Sequence, residues 1–213
     1  MPAQREAQGL TVDAIVEAAT RIGEKDGFEA ISMRRVASAL GVTAMALYKH
    51  VPTKNALLDE IANTYLADLD LAEDVDQWDE RLRRIFRSFH ELMVEHPVLA
   101  HVAANQTLEG PSARRMAEVV LAILRNAGFG DAEAVEVFSV LASFTVGLTL
   151  SWRARLPTDE TDVAERMREL AADPDHPHLS AVAEQYVKWP EEEVFDHGLD
   201  ALIDSYARRR SVR

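Results

Sequence analysis

Apolar residues recur at helical spacing along nearly the whole chain, and no segment alternates as a strand would. This spacing predicts helices over 12–26, 32–40, 43–50, 53–66, 79–95, 111–127, 131–155, 178–189 and 190–210. Gly27, Gly41, Gly128 and Pro97 stand at the ends of these segments. We interpret 158–177, which is acidic and contains prolines, as a loop with about one helical turn. The fold class is therefore predicted to be all-α.

The segment 131–155 is apolar around its whole circumference, whereas an ordinary surface helix has a single apolar stripe. Such a helix needs cover on every side, so we expect it to contact both its own core and a second subunit. The last helix, 190–210, starts with acidic residues and ends with basic ones, which suits its dipole. We predict that these two helices form a dimer interface through Val137, Phe138, Leu199, Leu202, Ile203 and Tyr206.

The net charge of the 213 residues is −13, which by itself argues against a partner as acidic as DNA. The charge is unevenly distributed, however. Residues 1–55 contain seven Lys and Arg and six Asp and Glu, so their net charge is +1 and the remainder carries −14. Residues 30–54 contain no acid at all. Because salt screens charges beyond about 8–10 Å, this N-terminal part can bind DNA despite the acidic remainder.

Several classes of function find no support in the composition. The chain has no cysteine, which excludes disulfides, thiolate nucleophiles and Cys-containing metal sites. Residues 1–9 lack the apolar stretch of a signal peptide, and we find no run of about 20 apolar residues for a membrane span. We therefore expect a cytoplasmic protein without a membrane partner. No nucleophile–base pair, phosphate loop or carboxylate dyad is evident, so we expect neither an enzyme nor a cofactor.

Two charged groups have a plain structural interpretation. The acids and histidines at 173, 175, 176 and 178 could bind a metal, but their acidic, proline-containing surroundings favour a solvated loop. The arginines at 81, 83, 84 and 87 are interpreted as a solvated helix face.

Residues 32–51, S-M-R-R-V-A-S-A-L-G-V-T-A-M-A-L-Y-K-H-V, have the spacing of a helix-turn-helix. Ala37 is small where the two helices would cross, and Gly41 supplies the tight turn. The second helix would point outward with Ala44, Met45, Tyr48, Lys49 and His50. In such a unit the second helix enters the major groove of DNA. The alternative is an αα-hairpin in an ordinary helical bundle.

These residues resemble the tetracycline repressor family of bacterial transcription regulators. The shared features are Gly27-Phe28, R-x-V-A-x-x-L-G-V at 34–42, L-Y-x-H-V at 47–51, Lys54, Leu57-Leu58-Asp59, and more weakly the stretches 138–147 and 195–203. The resemblance implies a three-helix DNA-binding domain over 1–54 and a helical ligand-binding and dimerisation domain over 55–213. It further implies a homodimeric repressor that binds a palindromic double-stranded DNA operator and is released by a small-molecule effector.

The resemblance also implies roles for single residues. Arg34 would contact the DNA backbone or a base, and Thr43, Ala44, Met45 and Ala46 would face base edges. Tyr48, Lys49, His50 and Lys54 would hold phosphates. The tetracycline repressor has more polar residues where Ala44-Met45-Ala46 stand here. Base reading would then rest on apolar contacts, such as those to thymine methyl groups, and the operator should differ.

An apolar cluster could either line an effector cavity or pack as plain core, and the sequence does not separate these two possibilities. Its members are Phe86, Phe89, Met93, Met116, Val120, Leu141, Phe144 and Leu148. As a cavity it suggests a mostly apolar effector oriented by a few polar groups, with His101 among them. A second hypothesis is an all-α small-molecule-binding protein with a vestigial head, whose weak DNA affinity would not respond to Lys49→Ala.

Overall fold

The computed structural model describes residues 10–105, 109–153, 160–188 and 191–211. Within these ranges there are twelve α-helices, one 3-10 turn at Phe28–Ala30 and no β-strand, which confirms the all-α prediction. The helices are α1 (Val12–Asp26), α2 (Met33–Leu40), α3 (Ala44–Tyr48), α4 (Lys54–Leu66), α5 (Trp78–Glu95), α6 (Pro97–Asn105), α7 (Pro111–Asn126), α8 (Asp131–Arg153), α9 (Glu160–Ala171), α10 (Pro177–Ala181), α11 (Ala183–Lys188) and α12 (Glu191–Ser211).

Helices α1 to α3 form the N-terminal unit, which we call the head, and each helix starts at a residue suited to cap it. A side-chain hydroxyl accepts a hydrogen bond of 3.0–3.3 Å from a backbone N–H three residues later at the starts of α1, α2, α3 and α4. Each such bond satisfies a donor that the helix itself leaves unpaired. The capping residues are Thr11, Ser32, Thr43 and Thr53.

Helices α5 to α12, which we call the body, are organised around α5 and α8, and α4 leads from the head into the body. The apolar face of α5 is buried as its spacing predicts, with Leu82, Ile85, Phe86, Phe89 and Met93 in the core. Helix α5 contacts α4, α6, α7, α8 and α12, and α8 also contacts α6, α7 and α12. This arrangement places α12 beside both central helices.

Helix α6 connects the head to the body, because it contacts α1 and α4 on one side and α5 and α8 on the other. Its approach to α1 depends on Gly23. A Cβ atom at this position would lie 2.6 Å from Cγ2 of Val98 and 2.8 Å from Cδ1 of Ile31. The expected domain boundary after residue 54 falls in the first turn of α4, which itself contacts α1, α6 and α7. That boundary stays a prediction.

The structure differs from the sequence-based prediction at three places in the described part of the chain. Pro97 starts α6 as well as following α5, since proline fits the first turn of a helix. Helix α9 lies inside the predicted loop 158–177, so that part of the prediction is wrong. Pro157 and Pro174 both lie outside α9, whereas 165–171 consists of strong helix formers. The predicted helix 178–189 is divided at Val182 into α10 and α11, and its last residue lies outside the described residues.

Three of the four arginines of α5, namely Arg83, Arg84 and Arg87, are ion-paired, so their interpretation as a solvated face is wrong. Nε of the fourth, Arg81, donates to the carbonyl of Leu71 at 3.4 Å. Arg83 donates to Asp200 at 2.8 Å and to Asp204 at 2.5 Å, and its side chain is only 14% exposed. Arg87 donates to Asp196 at 2.7 Å. The three aspartates stand four residues apart on α12, so they form one row that faces α5. The sequence alone does not bring together groups more than 100 positions apart.

A second group of bonds ties the segment between α4 and α5 to α5. Arg84 donates to Asp70 at 2.6 Å and to Asp74 at 2.9 Å. The backbone N–H of Asp70 in turn donates to the hydroxyl of Ser88 at 3.1 Å. The end of α4 is therefore fixed to the body by polar contacts as well as by packing.

One helix in the described part of the chain, Asp131–Trp152, is long and apolar enough to cross a membrane by length and composition alone. Core helices pass the same test, and this helix packs against α5, α6, α7 and α12. The finding is therefore weak evidence for a membrane span.

The close contact at Gly23 gives a stability prediction. We expect Gly23→Val to lower the free energy of unfolding by about 2 kcal/mol, because the new side chain overlaps Val98 and Ile31. Denaturant unfolding of the full chain measures this. Gly130→Val is the matched control, since a Cβ there meets no heavy atom within 4 Å. Equal losses in the two variants would contradict the packing argument.

Candidate DNA-binding and effector sites

The helix-turn-helix has the inward and outward faces that the sequence predicts. Val36, Ala37 and Leu47 are buried between the helices. Gly41 adopts φ +68°, a left-handed conformation in which glycine has no side-chain penalty. Its turn is closed by a hydrogen bond of 3.0 Å from the N–H of Val42 to the carbonyl of Ala37. The turn thus fixes the direction in which α3 leaves α2.

The outward face of α3 carries the residues predicted to contact DNA. Met45 is 70% exposed and Tyr48 is 45% exposed, which is unusual for large apolar side chains. Lys49 and His50 are exposed beside them. Ala44 and Ala46 are half-buried, and Ala44 packs against the core instead of pointing outward. Met45 is therefore the most exposed large apolar side chain of α3.

The two neighbouring arginines of α2 have different surroundings. Arg35 donates to Asp26 at 2.5 Å, so its charge is balanced within the head. Arg34 is exposed and makes no ion pair among the described residues. Of the two, Arg34 is the one available to a phosphate or a base.

Lys54 and His101 meet at the junction of head and body. The ammonium of Lys54, at the start of α4, lies 5.4 Å from the ring centroid of Phe28. The ring of His101 stacks on the same phenyl group at a centroid distance of 5.3 Å. His101 is exposed and lies at this junction. It was predicted to orient an effector among the buried apolar residues of the body, but it lies apart from them. Lys54 remains half-buried at a helix N-terminus, where a phosphate is favoured.

The apolar cluster predicted for the effector forms part of the core of the body. Six of its members, Phe86, Phe89, Met93, Met116, Val120 and Leu141, are buried, and Phe144 and Leu148 are half-buried. They lie on α5, α7 and α8, which contact one another. A role in ligand binding stays a prediction for these residues.

Three stacked aromatic rings connect α5, α12 and α8. The ring of His90 stacks on Phe195 at 4.0 Å, and Phe195 stacks on Phe144 at 5.7 Å. Gly198 makes room for this contact, because a Cβ there would lie 2.4 Å from the ring of Phe144. The three central helices of the body are thus held together by one aromatic column.

His90 at one end of this column is a buried polar residue with a defined hydrogen bond. Its Nδ1 lies 2.8 Å from the hydroxyl of Thr149, and this hydroxyl donates to the carbonyl of Thr145 at 2.8 Å. Because the hydroxyl hydrogen of Thr149 is donated to that carbonyl, the hydroxyl oxygen can only accept from His90. Nδ1 of His90 therefore carries the hydrogen and donates it to Thr149. Burial lowers the pKa of His90, and the nearby carboxylate of Asp196 only partly opposes this. The ring is neutral at pH 7, and its Nε2 is an acceptor.

The ring of His90 also lines a cleft of about 510 Å³ between α5 and the start of α12. This cleft and the buried Thr145 and Thr149 were not predicted from the sequence. The sequence did contain a signal for a buried histidine, because His90 lies at helical spacing with Phe86 and Met93 on the buried face of α5. The cleft itself depends on α12, so the sequence of α5 could not reveal it.

The structure places most of the predicted dimer residues in the core of the protomer. Val137, Leu199, Ile203 and Tyr206 are buried within the single chain and leave little surface for a partner. Phe138 and Leu202 are half-buried. Burial within the protomer therefore argues against the four buried residues as contacts to a partner, and for Phe138 and Leu202 the interface stays a prediction.

The lowered pKa of His90 makes folding sensitive to acid. The folded protein favours the neutral ring, so this contribution to stability is complete above the ordinary histidine pKa of 6.5 and is lost as the pH falls below it. We expect the unfolding free energy to fall less between about pH 7.5 and about pH 5 in His90→Phe than in the unmodified chain. The exposed His178→Phe serves as control. Identical pH dependences in all three proteins would contradict the assignment.

Comparison with known proteins agrees with both parts of the structure. Residues 5–61 match the family model of bacterial regulatory proteins, tetR family, and residues 72–208 match the model of the tetracyclin repressor-like C-terminal domain.

Individual relatives cover nearly the whole chain. The transcriptional repressor DrrR1 of Streptomyces coeruleorubidus is 29% identical over 92% of this chain and 76% of its own. The class A tetracycline repressor from transposon 1721 of Escherichia coli is 29% identical over 95% and 93%. ActR of Streptomyces coelicolor, in complex with actinorhodin, superposes with a TM-score of 0.82 at 27% identity over 93% and 97%. The chain therefore belongs to the tetR family of bacterial regulatory proteins, and it is a ligand-responsive DNA-binding transcriptional regulator.

Proposed function

We propose that the chain is a cytoplasmic homodimeric repressor whose two heads bind a near-palindromic operator and release it when a small molecule binds in the body. The observation that carries this proposal is the exposed outer face of α3, which stands in an acid-free segment of an otherwise acidic chain. The crystal structure of the similar protein ActR in complex with actinorhodin supports a response to a small molecule. Phosphate attraction then acts only at the heads, and the acidic bodies discourage unspecific adhesion to DNA.

The roles of the head residues follow from their exposure. Arg34, Tyr48, Lys49 and His50 surround the outer face of α3 and are assigned to phosphates. Met45 lies between them and is assigned to base edges, where an apolar side chain recognises the methyl group of thymine.

The dimer interface is assigned to the outer face of α8. No charged side chain occurs between Glu136 and Arg153, although much of this stretch is not buried in the protomer. The exposed positions of that face follow a four-residue spacing and carry small side chains, namely Ser139, Ser143, Gly147 and Ser151. Half-buried apolar residues stand on either side of this row. Small side chains let two helices approach closely, and the flanking apolar groups then gain cover.

Effector binding is coupled to the head through α6. This helix contacts α5 and α8, which carry the buried polar groups of the body, and it also contacts α1 and α4. A ligand shifts the equilibrium only if it binds one arrangement of these helices better than the other. The stacked contact of His101 with Phe28 and the tight contact at Gly23 transmit such a shift to the head.

The head assignment predicts the effect of a charge deletion on DNA binding. We expect Lys49→Ala to weaken operator binding about ten-fold and to lower the dependence of log K on log salt by about 2 per dimer. Gel-shift titrations at several salt concentrations, with DNA from the region flanking the gene, measure both quantities. Lys25→Ala removes an equally exposed charge away from α3 and serves as control. Equal, weak binding by all three proteins would favour the vestigial-head hypothesis instead.

The dimer assignment predicts the effect of a charge on the outer face of α8. Ser143→Glu should give a monomer, because the carboxylate would be desolvated in the interface while it remains exposed in the protomer. Light scattering with size-exclusion chromatography measures the mass, and circular dichroism checks the fold. Ala67→Glu, at an exposed site after α4, should stay dimeric. A folded dimer of Ser143→Glu would contradict this interface.

A further inference from the structure

The cleft between α5 and the start of α12 has a lining that indicates the chemical class of the effector. Its volume of about 510 Å³ lies within the range of small-molecule sites. It is bounded on the α5 side by the helical turns from Arg87 to Glu95, and on the α12 side by residues from Glu192 to Asp196. It borders the aromatic column, so a ligand there touches the residues that hold α5, α8 and α12 together.

The charged groups at this cleft are mostly negative. Arg87 donates a hydrogen bond of 2.7 Å to the carboxylate of Asp196, so these two charges balance each other. Glu91, Glu95 and Glu192 are exposed at the rim and have no basic counterpart in the lining. The rim therefore carries three carboxylates, within a body whose net charge is also negative. These carboxylates repel an anionic ligand and attract a cationic one.

The buried wall of the cleft offers a hydrogen-bond acceptor. His90 is 4% exposed, and its Nδ1–H is used by Thr149. Its Nε2 points away from that partner and has no hydrogen bond among the described residues. A buried acceptor without a partner is unfavourable, and a ligand N–H group would satisfy it. The unpaired Nε2 of His90 is independent of the three carboxylates, and it too favours a ligand group that carries N–H donors.

The remaining lining is apolar. Phe195 lines the cleft beside His90 although its side chain is only 1% exposed, and Val94 is 38% exposed at the edge of the cleft. The exposed valine gains from contact with an apolar part of a ligand.

We infer that this cleft binds the effector and that the effector is an organic cation, namely a protonated amine on an apolar body. The ammonium group lies among Glu91, Glu95 and Glu192 and donates one N–H to Nε2 of His90. The apolar body lies against Phe195 and Val94. This inference rests on the proposed function, because it names the ligand class to which the regulator responds.

The experiment compares two fluorescent probes that share one ring system and differ in charge. Emission anisotropy of 1-pyrenemethylammonium and of pyrene-1-carboxylate is titrated with the full-length protein. We expect the ammonium probe to bind at least about ten-fold more tightly. The double variant Glu91→Gln with Glu192→Gln should lose most of this preference. The matched control is Glu29→Gln with Glu60→Gln, which makes the same change of net charge at exposed sites away from the cleft and should keep the preference.

Three results would overturn the inference: equal or reversed preference, no binding of the ammonium probe, or a preference unchanged in the double variant. The proposed function is tested separately, by operator binding without either probe. A protein that binds its operator but shows no ammonium preference refutes the ligand class alone. A protein that prefers the ammonium probe but binds no operator refutes the regulator function alone.

Discussion

The uncharged stretch of α8 is the constraint on which the rest of the architecture depends. Its buried side packs on α5, α6, α7 and α12, so one helix supports four others. Its other side carries no charge and is left without cover by the single chain. In the proposed dimer, pairing of two α8 helices would remove this surface from water. It would also fix the relation of the two heads, because α6 connects α8 to α1 and α4.

Electrostatics are divided between the parts of the molecule. Most aspartates of α12 and of the segment after α4 form ion pairs with arginines of α5, so these aspartates have a structural role. The glutamates at the start of α12 and the end of α5 remain exposed around the cleft. Residues 30–54 are free of acids. The net charge of −13 therefore conceals a head suited to phosphate, a body held by ion pairs, and a negatively charged cleft.

The sequence predicts best where the determining contacts are local. The phase of α2 and α3 follows from Ser32, Gly41 and Thr43, each of which acts within a few residues of its position. The ion pairs of Arg83 and Arg87 with α12 could not be predicted, because more than 100 residues separate the partners. The cleft beside His90 was missed for the same reason.

The orientation of α8 could not be predicted, for a different reason. Apolar residues surround the helix, so the pattern contains no polar side from which to infer its facing. Val137 and Val135 look alike in the sequence, yet the first is buried and the second is 53% exposed. Helix α9 was missed because the prolines around it outweighed the helix formers within it.

In the proposed homodimer, two heads held by one body dimer read a two-fold site on DNA. Nuclease footprinting of the region flanking the gene shows whether such a site exists. We expect one protected near-palindrome whose half-site centres lie about 10 base pairs apart, which is one turn of the double helix. Protection of a single half-site, or no protected site, would contradict it.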